Sequence, residues 1–169
     1  MISTRGNILW IDDEIEHLKP HILFLEEKGY KITQARNGYD ALELSMVNAY
    51  DLILLDQSMP GMDGIEILTK LKGQNKSYVV IMITKTEDEW LMNEAITEQV
   101  EQFLTKPVNP SQIFMACKQV LEKNKIRQDS DTSKYLSEFQ NIELNLGNKK
   151  TVDDWYGLYN KLLDWQIRF

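Results

Sequence analysis

What this chain lacks narrows it first. It has one cysteine, Cys117, which cannot close a disulfide within the chain and so suits a reducing compartment. Its 19 Lys and Arg are outnumbered by 26 Asp and Glu, for a formal net charge of −7, and no cluster of cations offers a face to a phosphate backbone. Direct nucleic-acid binding by this portion is therefore not expected. No apolar run approaches the ~20 residues of a membrane span. The longest, such as residues 78–83 and 52–55, have the length of buried strands, so no membrane insertion is expected. Arg5, Gly6 and Asn7 precede the first strand with no apolar stretch of a secretory signal, and a cytoplasmic location is the expectation. There are no internal repeats.

What remains is ample for a core. A chain of 169 residues, 43% of them hydrophobic, is one ordinary domain with something smaller attached. Residues 7–11 form a short apolar run that stops at the acidic pair Asp12 and Asp13, as a central strand does at its polar C-terminal edge. Residues 15–28 read as a helix closed by Gly29, with Pro20 bending it or delaying its true start. Residues 30–35 alternate like a strand, and residues 37–48 carry Ala41, Leu42, Leu44 and the run 45–47 on an expected helical face. Asp51 leads into Leu52, Ile53, Leu54 and Leu55, apolar on both faces as in a parallel sheet, then Asp56 and a turn-rich segment ending at Gly64.

A helix with Ile65, Leu68 and Leu71 follows, then a strand over 78–83, a helix over 87–99, a strand over 101–104 and a helix from 111 to about 123. Strict alternation of five strands with five helices predicts an α/β fold, a doubly wound five-stranded parallel sheet with right-handed crossovers. A polar stretch at 128–133 reads as a joint or a loosened helix turn. Beyond it Tyr135, Leu136, Phe139, Ile142 and Leu146, then Val152, Trp155, Leu158, Tyr159, Leu162 and Leu163, recur at helical spacing. These predict a short C-terminal helical segment whose aromatics complete their core beyond this sequence or against a partner chain.

The chemistry gathers at strand ends. Asp12 and Asp13 follow the first strand, Asp56 the third, Thr84 the fourth and Lys106 the fifth, which places all of them on one edge of an open α/β sheet, where such folds bind ligands. Crowded carboxylates repel by ~4 kcal/mol per pair at about 4 Å and an effective dielectric near 20, so a proton or a cation must join them. Hard oxygen donors in an incomplete set suit Mg²⁺, with Mn²⁺ an acceptable substitute. Asp13 and Asp56 are the expected direct ligands, with the backbone carbonyl of Ser58, and Asp12 acts through water. One oxygen of Asp56 is then left to attack phosphorus, making it the expected phosphoacceptor. Lys106 supplies an ammonium, and its bond to Pro107 is a candidate cis peptide. The hydroxyl of Thr84 reaches a phosphoryl oxygen better than a bare carboxylate, a difference on which a switch can run.

These segments resemble a known family. Trp10-Ile-Asp-Asp-Glu14, Leu54-Leu-Asp-Gln-Ser-Met-Pro-Gly-Met-Asp-Gly64, Ile83-Thr84 and Phe103-Leu-Thr-Lys-Pro107 are together similar to the receiver domain of bacterial two-component response regulators, CheY-like, over residues 5–124. The resemblance implies phosphotransfer from a sensor histidine kinase to Asp56, Thr84 turning toward the phosphoryl group, and Phe103 moving inward. It further implies output through the face formed by the helix over 87–99, the fifth strand and the following helix, with a phosphorylation-induced homodimer as one outcome. Such a protein is a phosphoacceptor regulator and not an enzyme, beyond self-phosphorylation from small donors and autodephosphorylation. Two departures stand out: Lys85 occupies a position usually small, where it tunes access to Asp56, and residues 98–102 lack the usual Gly-Ala pair. Thr132-Ser-Lys-Tyr135, Glu138-Phe-Gln-Asn-Ile142, Asp153-Asp-Trp-Tyr156 and Leu163-Asp-Trp165 resemble the helical segment of PorX-type regulators of type IX secretion. Residues 125–169 are accordingly expected to be a helical linker or the start of a bundle, truncated here. The alkaline-phosphatase-like domain that continues such regulators has no metal ligands in this sequence.

Other readings compete with these. A haloacid-dehalogenase-like phosphatase also uses an Asp nucleophile and Mg²⁺, but needs a second acid two positions on, where this chain has Ser58. A receiver-like scaffold that has lost phosphorylation is opposed by the presence of all five site residues and favoured by Lys85. His17 and His21, one helical turn apart without a third ligand, read as a surface pair. Cys117 shares a face with Ile113, Ala116, Val120 and Leu121 and reads as a small buried hydrophobe. Trp90 lies off the apolar face of its helix, covering a sheet edge or forming a partner surface.

Overall fold

The computed structural model describes residues 4–74, 78–85 and 100–146. Strands β1 (Gly6–Ile11), β2 (Tyr30–Ala35), β3 (Leu52–Asp56), β4 (Val80–Thr84) and β5 (Gln102–Thr105) form one sheet in the order β2-β1-β3-β4-β5, every pairing parallel. The order reverses between β1 and β3, which creates a crevice at the carboxyl ends of those two strands. Every residue of β3 and β4 is buried, as their unbroken apolar sequences require. By contrast β5, an edge strand, is only half-buried.

Helices α1 (Lys19–Glu27), α2 (Gly38–Val47), α3 (Gly64–Lys72) and α4 (Pro110–Leu146) complete the described elements. Two apolar clusters form, one on each face of the sheet. Leu9, Ile11, Ile53 and Leu55 meet Ala41, Ile67, Leu68 and Leu71 on one side. On the other, Ile8, Trp10, Leu52 and Leu54 meet Ile22, Leu25, Ile113 and Cys117. This alternation along β1 and β3 follows from the two-residue period of a strand. Each fully buried Leu or Ile contributes about 1.5–3 kcal/mol of transfer free energy.

Helix starts follow local chemistry. The side chains of Asn37 and Asp63 accept the N–H groups of Asp40 and Glu66, capping α2 and α3. Pro20 delays α1: a 3₁₀ turn over Ile15–Leu18 comes first, and proline sits in the first helical turn, where its missing N–H costs nothing. One expectation needs correction. Met46 and Val47 are 65% and 79% exposed, because the buried face of α2 is the stripe of Gly38, Ala41 and Ser45, spaced three and four residues apart. On α3 Leu68 and Leu71 are buried with Ile65 half-buried against the same cluster, as expected, and Ile67 joins them fully buried. Of the two readings of 128–133 the helical one holds, inside α4: the stretch has neither Gly nor Pro, and its polar residues cost a helix only a few tenths of a kcal/mol each.

The chain divides into two compact units, Met1–Asn124 and Lys125–Phe169. The second is helical as far as it is described, to Leu146. Among the described residues no helix is long and apolar enough to cross a membrane. The helix expected over 87–99, with Trp90, and the amphipathic pattern beyond 146 lie outside the described residues.

Candidate functional site

Strand register assembles the site. Ile11 pairs with Leu55, so the next residues along each strand, Asp12 and Asp56, lie side by side. Asp56 in turn pairs with Ile83, and Thr84 with Thr105, so Thr84 and Lys106 reach the same edge. The last rungs of the ladder anchor that edge: Asp12 N–H donates to Ala35 O at 3.1 Å, Gln57 N–H to Ile83 O at 2.9 Å and Lys106 N–H to Thr84 O at 2.7 Å.

Carboxylate oxygens of Asp12, Asp13 and Asp56 lie within 4.8 Å of one another. Asp12 and Asp56 are buried while Asp13 is exposed. Lys106 Nζ donates to Asp56 Oδ2 at 2.8 Å and to Asp12 Oδ2 at 3.3 Å. Backbone donors fix the remaining oxygens: Glu14 N–H meets Asp12 Oδ1 at 2.8 Å and Ser58 N–H meets Asp56 Oδ1 at 3.3 Å. Burial pushes the Asp12 carboxyl above its ordinary range; Lys106 and the Glu14 N–H oppose this, and the neighbouring Asp56 reinforces it. Burial alone would lower the Lys106 ammonium, but the hydrogen bond to Asp56 and the pull of both carboxylates outweigh it and raise its pKa. Three carboxylates against one ammonium leave an anionic cluster of hard oxygen donors, the chemistry that holds a divalent cation.

The loop after β3 can approach Asp56 only because of glycine. A Cβ on Gly64 would lie 2.5 Å from the Asp56 carbonyl oxygen and 2.8 Å from Gln57 Cα, both rigid backbone atoms. Gly61, at φ +84°, supplies the left-handed residue of the same loop.

The other expected site residues fall as follows. Thr84 is fully buried at the end of β4, and Lys85 directly after it is exposed. Phe103, on β5, packs half-buried against the Leu9–Leu55 cluster. Ser58 is exposed, and the Lys106–Pro107 peptide is cis. Histidine was misread from sequence alone. His21 is half-buried with Nε2 3.0 Å from Val108 O and its ring edge-to-face with Trp10 at 6.4 Å; only His17 is a plain surface residue. The spacing of the two histidines carries no trace of this contact, which spans 87 positions.

An acidic pocket with an apposed lysine, at the reversal point of a 2-1-3-4-5 parallel sheet, defines a receiver-type signalling domain. Residues 8–118 match the response regulator receiver domain, and the chain belongs to that family. Residues 125–169 match the PorX response regulator linker domain. The transcriptional regulatory protein SrrA of Staphylococcus aureus is 31% identical over 152 residues, covering 88% of this chain and 63% of SrrA. The chain thus spans less than two thirds of that relative. Among solved structures, the receiver domain of the Francisella response regulator 1452 superposes with a TM-score of 0.64 at 28% identity, covering 71% of this chain and 99% of that one. TrrA from Thermotoga maritima, solved in complex with Mg(2+)-BeF, gives a TM-score of 0.60 at 27% identity over 68% of this chain and 97% of that one. Membership in this family makes residues 8–118 a receiver module of two-component signalling.

Proposed function

We propose that this protein is a phosphorylation-operated switch in which Asp56 takes a phosphoryl group from the phosphohistidine of a sensor kinase. The observation that carries the reading is the buried Asp56 carboxylate with Lys106 Nζ at 2.8 Å and two further carboxylates within 4.8 Å. Transfer forms a bond from an Asp56 oxygen to phosphorus as the P–N bond of phosphohistidine breaks, and the imidazole leaves with a proton.

Asp12, Asp13, Asp56 and the Ser58 carbonyl would hold Mg²⁺, or Mn²⁺ in its place. When bound, the metal neutralises the charge that builds on the phosphoryl oxygens. Lys106 shares that task from its position between the two buried acids. Thr84 binds a phosphoryl oxygen, Phe103 moves further inward, and exposed Lys85 tunes how readily small donors and water reach Asp56. Output passes through β5 and the elements beside it, and a symmetric dimer is its form. Residues 5–124 act as the receiver and 125–169 as a helical linker. The match of that linker to PorX supports a place in the regulation of type IX secretion, in the cytoplasm.

The test is intact-mass measurement after incubation with Mg²⁺ and acetyl phosphate, beside an Asp56→Asn variant. One phosphoryl group on the wild type alone is the expected result. Phosphate-ester turnover without a stable adduct, or no adduct at all, defeats the reading. Beryllofluoride should shift sedimentation toward a dimer, and unchanged sedimentation refutes the dimer.

A further inference from the structure

We infer that His21 is a positioning residue for Lys106, acting through the carbonyl of Val108. The inference rests on the phosphoacceptor reading above and extends it to a side chain outside the acidic cluster. Lys106 rides on the loop between β5 and α4, and β5 is a four-residue edge strand with β4 as its partner in the sheet. Something must keep that loop from drifting, because an ammonium displaced by 1 Å loses much of its effect on transfer.

Besides the ammonium's pairs with Asp12 and Asp56, three hydrogen-bonded contacts among the described residues hold it. Lys106 N–H ties its start to Thr84 O at 2.7 Å. Its far end is a reciprocal cap, with Asn109 N–H on Gln112 Oε1 at 3.0 Å and Gln112 N–H on Asn109 Oδ1 at 2.9 Å. Between them, two residues past the lysine, Val108 O meets His21 Nε2 at 3.0 Å. A carbonyl oxygen only accepts, so Nε2 carries the proton and the imidazole is the donor.

His21 is itself seated by Trp10, edge-to-face at 6.4 Å. Trp10 is 1% exposed and stands two residues before Asp12 on β1. One chain of contacts therefore runs from the strand that delivers the acid, through indole and imidazole, to the loop that delivers the ammonium. The same residues line a partly open cleft of about 450 Å³, with Trp10, Asp12, His21, Lys106 and Val108 in its walls. Val108 also packs half-buried against the Trp10 cluster, and the His21 hydrogen bond fixes the carbonyl of that same residue at the cleft wall.

The experiment compares phosphorylation rate by acetyl phosphate with Mg²⁺ affinity in the full chain. His21→Leu should slow phosphorylation by about five-fold or more, leave the Mg²⁺ dissociation constant within about two-fold, and be rescued by His21→Gln, whose amide N–H can still donate. His21→Phe keeps a ring against Trp10 without the donor and must behave like leucine, which covers the case in which leucine does not fold. In a Lys106→Ala background His21→Leu should cost nothing further. Equal wild-type and His21→Leu rates overturn this inference alone. So does a parallel loss of Mg²⁺ affinity, or an undiminished effect without Lys106, since either marks a general structural role. A wild type that accepts no phosphoryl group removes the phosphoacceptor reading first and this inference with it.

Discussion

Removing one charge from the acidic cluster should make the metal-free protein more stable. Asp12→Asn is the informative case because Asp12 is 1% exposed and its carboxyl is driven upward chiefly by burial. At an effective dielectric near 20, Lys106 at 3.3 Å attracts the Asp12 carboxylate by roughly 5 kcal/mol, while Asp56 within 4.8 Å repels it by at least roughly 3.5 kcal/mol and the exposed, better-screened Asp13 adds to the repulsion. The nearby charges thus leave at most about 1.5 kcal/mol of attraction. Against it stands the cost of desolvating a buried ion, which is several kcal/mol. An Asn side chain keeps an oxygen for the Glu14 N–H and avoids that cost. The expected gain is on the order of 2 kcal/mol in EDTA at neutral pH, or about 4–8 °C in Tm for a chain of this size.

The pH dependence has a defined sign. A carboxyl whose folded pKa is raised binds its proton more tightly in the folded state, so the favourable contribution is complete below the unfolded pKa and lost as pH rises through the folded one. The advantage of Asn over Asp should therefore be full at neutral pH and shrink toward acid. Saturating Mg²⁺ should stabilise the wild type, by about 2.7 kcal/mol at a hundred times its dissociation constant, and the variant by less. Urea and thermal unfolding with EDTA or Mg²⁺ measure both effects. An Asn variant no more stable than the wild type in EDTA, or one stabilised equally by Mg²⁺, refutes the reasoning.

Gly64→Ala should destabilise by about 1–3 kcal/mol and slow phosphorylation as well, because the new methyl presses on the backbone of Asp56 and Gln57 at 2.5 and 2.8 Å; unfolding midpoints and acetyl phosphate kinetics together check it. Cys117 is fully buried and its thiol pKa is pushed up to about 12, so a thiol reagent at pH 8 should label it only at the rate of unfolding. Labelling of the native protein at the rate of a free thiol would contradict the packing described.

Much of the fold was legible where sequence patterns have a single structural solution. Leu52 to Leu55, apolar without interruption and followed by an acid, has no comfortable place except a strand covered on both faces. Once two such strands were recognised, the position of Asp12, Asp56, Thr84 and Lys106 at strand ends followed from counting residues. Pro20 announced the late start of α1 for an equally local reason. The polar stretch at 128–133 left a joint and a helix turn both open because helix propensity is weak, and only the structure shows the helix running through it. Met46 and Val47 misled because apolar character does not say which side of α2 faces the sheet.

Residue types and their order thus determined the α/β class and the acidic, lysine-bearing edge, since burial of apolar strands and the two-residue period of their side chains are local rules. The tertiary structure alone decided which distant groups touch. The 2.8 Å contact between Lys106 and Asp56 depends on strand register, the Gly64 approach on how a loop folds back, and the link from His21 to Val108 on two elements meeting across 87 positions. Contacts of that kind are set by the packing of whole elements, which no short stretch of sequence encodes.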